Sequence, residues 1–330
     1  MSDKEKFSRE LHKRIKILNE TLWGGNYRHG KVTEWLNNFY DEEEKMHALF
    51  LLSNFMYFSG PQIKQLLISA YRDMYKYPII ENIRKENNHT LDIQFIESQF
   101  EQIKGSTLFL GIGNVAESGN HLLYKFRQEN KLPKNIFQDT EKPLYSEKND
   151  EIISNYGDRR KLVYFDDFVG SGSQAIEYGR TNLAKIRKAF PQADISYILL
   201  FGTVKGIKAI KESGLFDKVD CVVEIDDSFK LFGLDSRYFK DPNRVINREF
   251  LFNMCKKHGK PLMRIIAERL GHENGGADYF AQTNSLGFGD CQLLIGFDHN
   301  VPDNTLPIVW FNEDESIWTP FFKRANKIYE

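Results

Sequence analysis

A chain of 330 residues is long enough for roughly two or three domains, or for one large domain with an elaborated end. Its formal net charge of −1 supplies no global field toward nucleic acid or anionic membranes, although local basic surfaces remain open. Apolar residues at 41% and charged residues at 28% describe an ordinary globular composition, and 14% aromatics predict a bulky core. Cys221, Cys255 and Cys291 are widely spaced and form no Cys-x-x-Cys pair. That argues against a zinc site or a disulfide framework and for reduced thiols. No secretory apolar segment follows the opening residues, and no run approaches the ~20 apolar residues of a membrane span. A cytoplasmic protein without a membrane partner is expected.

Residues 1–104 read as a helical module. Asp41 precedes three glutamates at a helix start, and Met46, Leu49, Phe50, Leu52, Phe55 and Met56 recur at helical spacing over 41–58. Ser59-Gly60-Pro61 opens a second helix, which Tyr77-Pro78 is expected to stop. A third spans Leu91 to Ile103. From about residue 105 the pattern alternates. Strands are expected at Ser106 to Leu110, Leu162 to Phe165, Ile195 to Phe201 and Val219 to Ile225, with helices between them. Such alternation argues for a parallel sheet covered on both faces. The polar stretch Lys131 to Arg160 is long for a connector and reads as a lid, with a short strand at Asn135 to Phe137. In the last third, Arg248 to Leu270 is helical, Asn274-Gly275-Gly276 is a loop or cap, and Leu306 to Phe311 reads as a strand.

Residues 162–173 carry the most chemistry: an apolar strand, then Asp166 and Asp167, then Gly170, Ser171, Gly172 and Ser173 leading into a helix near Gln174. Ligands of open parallel sheets bind beyond the carboxyl ends of the strands. Glycines let backbone N–H groups close around a phosphate, and a helix N-terminus adds positive potential. Carboxylates would repel a phosphate, so the aspartates suit sugar hydroxyls or a divalent cation. Together these groups suggest a phosphorylated ribose. After the first strand, Gly111-Ile112-Gly113 and Glu117-Ser118-Gly119-Asn120 form either a second anion loop or a tight turn that needs glycine for steric reasons.

This pairing resembles the phosphoribosyl-diphosphate (PRPP) binding motif of type I phosphoribosyltransferases, over roughly residues 105–226. The resemblance implies that Asp166 and Asp167 hold the ribose hydroxyls, directly or through Mg2+. Gly170, Ser171, Gly172, Ser173 and Gln174 would cradle the 5-phosphate, and Glu117, Ser118, Gly119 and Asn120 would face the diphosphate. Gln174 stands where the family often has Thr, and Phe168 is bulkier than its usual Val or Ile. The implied fold is α/β: a parallel sheet of type I phosphoribosyltransferase kind, an N-terminal helical module (1–104), a core (105–226) and a C-terminal α+β hood (227–330). In the hood His299, Asn300, Asn304 and Trp318 are candidates for contacting the acceptor, or else turn formers and a core cap. Lys142 and Lys148 of the lid would either neutralise diphosphate or remain solvated.

The helical front and the Gly-Phe-Gly-Asp-x-Gln…Trp-x-Pro-Phe-Phe tail resemble a narrower group. These are phosphoribosyltransferase-like proteins associated with bacterial antiphage defence systems, including retrons. That resemblance implies partner proteins, a reverse transcriptase or a DNA-binding protein, docking on residues 1–104. The expected activity is a magnesium-dependent transfer of ribose 5-phosphate from PRPP, or a related donor, to a base, nucleotide or nucleic-acid acceptor. Rival readings are a non-catalytic nucleotide or PRPP sensor that signals to a partner, and a toxin that hydrolyses an N-glycosidic bond.

Overall fold

The computed structural model describes residues 2–324 apart from 26, 29, 113–117, 140, 150 and 241–244, and the side chains of 118–121 lie outside it. Three helices come first: α1 (Asp3–Thr21), α2 (Lys31–Leu36) and α3 (Glu42–Ser53). Strand β1 (Met56–Phe58) precedes α4 (Gly60–Ser69), α5 (Tyr77–Glu86) and α6 (Ile93–Gly105). Next come β2 (Thr107–Gly111), α7 (Ser118–Glu129), β3 (Tyr145–Lys148), β4 (Glu151–Ser154) and β5 (Lys161–Val169). The chain continues through α8 (Ser173–Ala189), β6 (Asp194–Thr203), α9 (Val204–Glu212) and β7 (Lys218–Ile225). It closes with α10 (Arg248–Arg269), α11 (Asn274–Asn284), β8 (Ile295–Phe297) and α12 (Pro307–Trp310).

Contacts divide the chain into two units, one formed by Met1–Ile63 with Asp226–Glu330 and the other by Lys64–Ile225. The helical front third is thus shared between them, a different division from the expected 1–104, 105–226 and 227–330. The second unit is a parallel sheet in the order β2-β5-β6-β7. Alternation along the strands sends Leu108, Leu110, Leu162, Tyr164, Ile195 and Tyr197 into one core with Ala175, Leu183 and Ile186 of α8 and Ile207 and Ile210 of α9. On the other face Phe126 of α7 meets Phe165 at 4.7 Å and Phe109 at 5.3 Å, and Tyr75 meets Phe109 at 5.0 Å. Both faces are covered, as a parallel sheet requires.

In the first unit β1 pairs in parallel with β8. The core there gathers Trp23, Trp35, Trp310, Trp318, Phe321 and Phe322 with Leu251, Met254 and Leu262 of α10. Side-chain caps start many of the helices: Asp41 accepts from Glu44 N–H at 2.7 Å, Asp92 from Phe95 N–H at 3.1 Å, and Asn247 from Phe250 N–H at 3.0 Å. Each such cap stabilises its helix by about 1 kcal/mol.

Four local expectations change. Pro78 does not stop a helix: a π-helical stretch, Ala70–Lys76, widens the turn before it, and Pro78 enters the first turn of α5, where its missing N–H costs nothing. Asn274-Gly275-Gly276 opens α11 rather than forming a loop. Leu306 to Phe311 is not a strand, because Pro307 at the first helical positions starts the short α12 and Trp310 Nε1 donates back to Thr305 O at 2.8 Å. Asn135 to Phe137 is mostly a 3-10 turn, Lys134–Ile136, with Phe137 bridging Phe109 of β2. Within the expected lid, β3 and β4 form an antiparallel hairpin.

Candidate functional site

Strand β5 runs four residues past the expected Phe165, so Asp166 and Asp167 lie within it rather than beyond it. Phe168 and Val169 extend it by pairing with Phe201 and Gly202 of β6. Neighbours on a regular strand face opposite ways. The charge of Asp167 nevertheless acts on the Asp166 carboxyl. The strand pairing passes from Asp166–Leu199 to Phe168–Phe201, with Asp167 between them. Asp167 is buried, 7% exposed, and Asp166 is half-buried.

Both oxygens of Asp166 are engaged. The Asp167 N–H donates to Oδ1 at 2.9 Å and the Tyr197 hydroxyl donates to Oδ2 at 2.8 Å. Burial, and then the charge of Asp167, hold the Asp166 carboxyl well above the ordinary aspartate range. The pair therefore keeps a proton well above the pH at which a solvated aspartate loses one. Burial and the nearby Asp166 also keep the Tyr197 phenol protonated. Its ring is fixed by stacking on Phe216 at 4.9 Å.

The turn after the pair is held from the next strand–helix unit. Thr203 caps α9 by accepting from Gly206 N–H at 2.9 Å, and its hydroxyl donates to Gly170 O. A Cβ on Gly206 would lie 2.2 Å from Gly170 O, and one on Gly172 would lie 2.9 Å from Gly206 O. Only glycine permits that approach. Gly172 has φ +80° at the N-cap of α8, a conformation L-residues rarely adopt. Ser171 and Ser173 hydroxyls meet at 2.9 Å, and the Ser173 N–H donates to Ser171 Oγ at 3.3 Å. Ser171, Ser173 and Gln174 are exposed, so the turn presents hydroxyls and the positive end of a 17-residue helix to a ligand.

The structure thus brings Asp166, Asp167 and Gly170 to Gln174 together. Glu117 lies outside the described residues. Ser118, Gly119 and Asn120 begin α7, and their side chains lie outside the description too. His299, Asn300, Asn304 and Trp318 belong to the first unit. Trp318 is buried there, its indole donating to Ile308 O at 2.9 Å and its ring packed on Phe39 and His258, both at 5.5 Å. Asn304 is buried, donating to Phe288 O at 3.0 Å. Asn300 Oδ1 accepts from Val301 N–H at 2.9 Å, and His299 stacks on Phe297 at 5.5 Å. These are the contacts of turn formers and a core cap.

Tyr197, Thr203 and Gly206 are absent from the sequence-based list. Tyr197 is hidden among the apolar residues of β6. Thr203, three residues before Gly206 and at the start of a helical pattern, carries an N-cap signal that marks it.

A protein-only metal cage is not formed among the described residues, where no group of three or more His, Cys, Asp and Glu converges. Two adjoining carboxyls do fit magnesium, which is often held by one or two carboxylates, substrate phosphates and retained waters. Burial, and then the charge of Asp167, raise Asp166, and a divalent cation would relieve the second of these.

Among solved structures, the chain is similar to the AQ2163 protein from Aquifex aeolicus, with 11% identity, 61% of this chain and 86% of that one covered, and a TM-score of 0.28. It is similar to orotate phosphoribosyltransferase from Aeropyrum pernix, with 12% identity, 41% and 78% covered, and a TM-score of 0.23. No curated protein matches it. A family model described as PRTase-CE matches residues 32–324, and with that span the chain belongs to the PRTase-CE family and is phosphoribosyltransferase-like.

Proposed function

We propose that the protein binds PRPP, or a closely related phosphoribosyl donor, with Mg2+ and transfers ribose 5-phosphate to an acceptor. One observation carries this reading: two adjacent carboxyls, Asp166 half-buried and Asp167 buried, lead directly into a glycine–serine turn at the N-terminus of α8. Carboxyls suit ribose hydroxyls, and the turn suits a 5-phosphate. In the reaction the bond from ribose C1 to diphosphate breaks, the diphosphate leaves with the electron pair, and an acceptor atom bonds to C1. Asp166 and Asp167 orient the ribose, and Tyr197 fixes the rotamer of Asp166. Gly170 to Gln174 anchor the phosphate, so that C1 is presented in one orientation. Asp166 and Asp167 would hold magnesium, which would supply charge neutralisation for the leaving group.

Calorimetric titration with PRPP and MgCl2 tests the reading. Wild type binds, and Asp166→Asn/Asp167→Asn loses most of the affinity; equal binding by both, or none by wild type, sinks it. Diphosphate release with candidate bases, nucleotides and DNA ends separates a transferase from a sensor. A role in antiphage defence rests on the resemblance of the helical front and the tail, and plating efficiency of phage on cells carrying the double variant tests it.

A further inference from the structure

A second concave site lies in the Lys64–Ile225 unit, on the free edge of β2. Its cavity is about 890 Å³, within the range of small-molecule pockets. Phe137 bridges Phe109, and Gln138 N–H donates to Phe109 O at 3.0 Å, which fixes the floor against the edge strand. Arg159 clamps the wall, donating to Gly105 O, Thr107 O and Asn135 O at 2.6, 3.2 and 3.1 Å. These anchors sit at the amino half of β2, whereas the carboxyl pair lies near the carboxyl end of the adjacent, parallel β5. The two sites are separate.

The lining is cationic and aromatic. Arg127, Lys134 and Lys142 line it beside one carboxylate, Asp139, and with them Arg159, whose guanidinium is committed to backbone carbonyls. Lys142 Nζ lies 4.8 Å from the Tyr156 ring centroid, and the Arg127 guanidinium 5.5 Å from that of Tyr124. Tyr124 is 53% exposed, leaving ring surface open for stacking. Gln138 adds an amide, able to pair with a base edge. Excess cations call for an anion, but the volume far exceeds a phosphate, and the tyrosines call for a planar ring. We propose that this pocket binds a nucleoside phosphate, its phosphates on Arg127 and Lys134 and its base against Tyr124, at a site separate from the one that takes the phosphoribosyl donor.

The test is calorimetry on the full chain with AMP, ATP, GMP, adenosine and inorganic diphosphate at two salt concentrations. At least one nucleotide binds, more weakly at high salt, and more tightly than adenosine or diphosphate. Arg127→Ala/Lys134→Ala weakens it about tenfold or more. Tyr124→Ala, a change at an exposed ring, weakens it as well and guards against misfolding of the double variant. Asp166→Asn/Asp167→Asn keeps the nucleotide binding that the pocket variants lose, and the pocket variants leave PRPP binding unchanged, so the two sites fail independently. No binding by any nucleotide, equal binding of diphosphate, or pocket variants that bind like wild type would overturn the proposal.

Discussion

Tyr197, at the middle of β6, reaches across to β5 and donates a 2.8 Å hydrogen bond to Asp166 Oδ2. This bond stabilises the charged form of a carboxyl that burial and Asp167 push the other way. Tyr197→Phe keeps the stack on Phe216 but leaves a buried acceptor short of one donor. The second unit should lose about 1–3 kcal/mol. Hydrogen exchange of β5 and β6 amides in wild type and variant measures it. Donor binding should weaken in parallel, since the rotamer of Asp166 is no longer fixed.

Asp166 also predicts an unusual pH dependence. Its folded value is raised, so its contribution to stability is fully present below the unfolded value of about 3.9. That contribution is lost as pH rises through the raised folded value, because the folded state then holds the proton the unfolded state has released. Asp166→Asn removes the titration. At neutral pH, without magnesium, the variant should be more stable than wild type while binding donor poorly. A wild-type profile that is flat above the ordinary carboxylate range, or a less stable variant, would contradict a raised Asp166.

Gly206 is a sharper probe of the turn than any residue within it. Gly206→Ala would place Cβ 2.2 Å from the backbone oxygen of Gly170, which cannot move without the turn. The cost should be about 1–3 kcal/mol of overpacking, with donor affinity falling although residues 166–174 are untouched. Gly105→Ala, whose Cβ meets nothing within 4 Å in α6, is the control. It should be neutral or stabilising by up to about 1 kcal/mol. Thermal melts and PRPP titrations of the two variants give the comparison.

The sheet and the acidic turn were legible because their signals are local: β-run, carboxylates, glycines and helix period follow one another along the chain. Tyr197, Thr203 and Gly206 were not, since their roles exist only once β6 and α9 pack beside β5 and α8. The ends of elements failed for a related reason. Leu306 to Phe311 is a short apolar run that periodicity cannot assign, and only Pro307 marks it as a helix start. Tyr77-Pro78 looked like a stop because a π-turn, which frees the backbone ahead of the proline, leaves no sequence period of its own.

Glu44 supplies the opposite pH behaviour in the first unit. It is 3% exposed on α3 and accepts from Lys257 Nζ at 2.8 Å and His258 Nε2 at 3.0 Å. Burial alone would raise its carboxyl, but the hydrogen bonds from Lys257 and then His258 outweigh burial and leave it below the ordinary range. A depressed value contributes stability above the unfolded value of about 4.3, lost as pH falls through the folded one. Glu44→Gln should lower stability at neutral pH by about 1–3 kcal/mol and flatten the acid limb. The chain carries 4 tryptophans, Trp23, Trp35, Trp310 and Trp318, and all lie in this unit, so tryptophan emission reports on it alone. On acidification emission should change before β5 and β6 amides lose protection, because acid removes the contribution of Glu44 while it preserves that of Asp166. Coincident transitions, or the sheet opening first, would show that these two carboxyls do not govern the acid response.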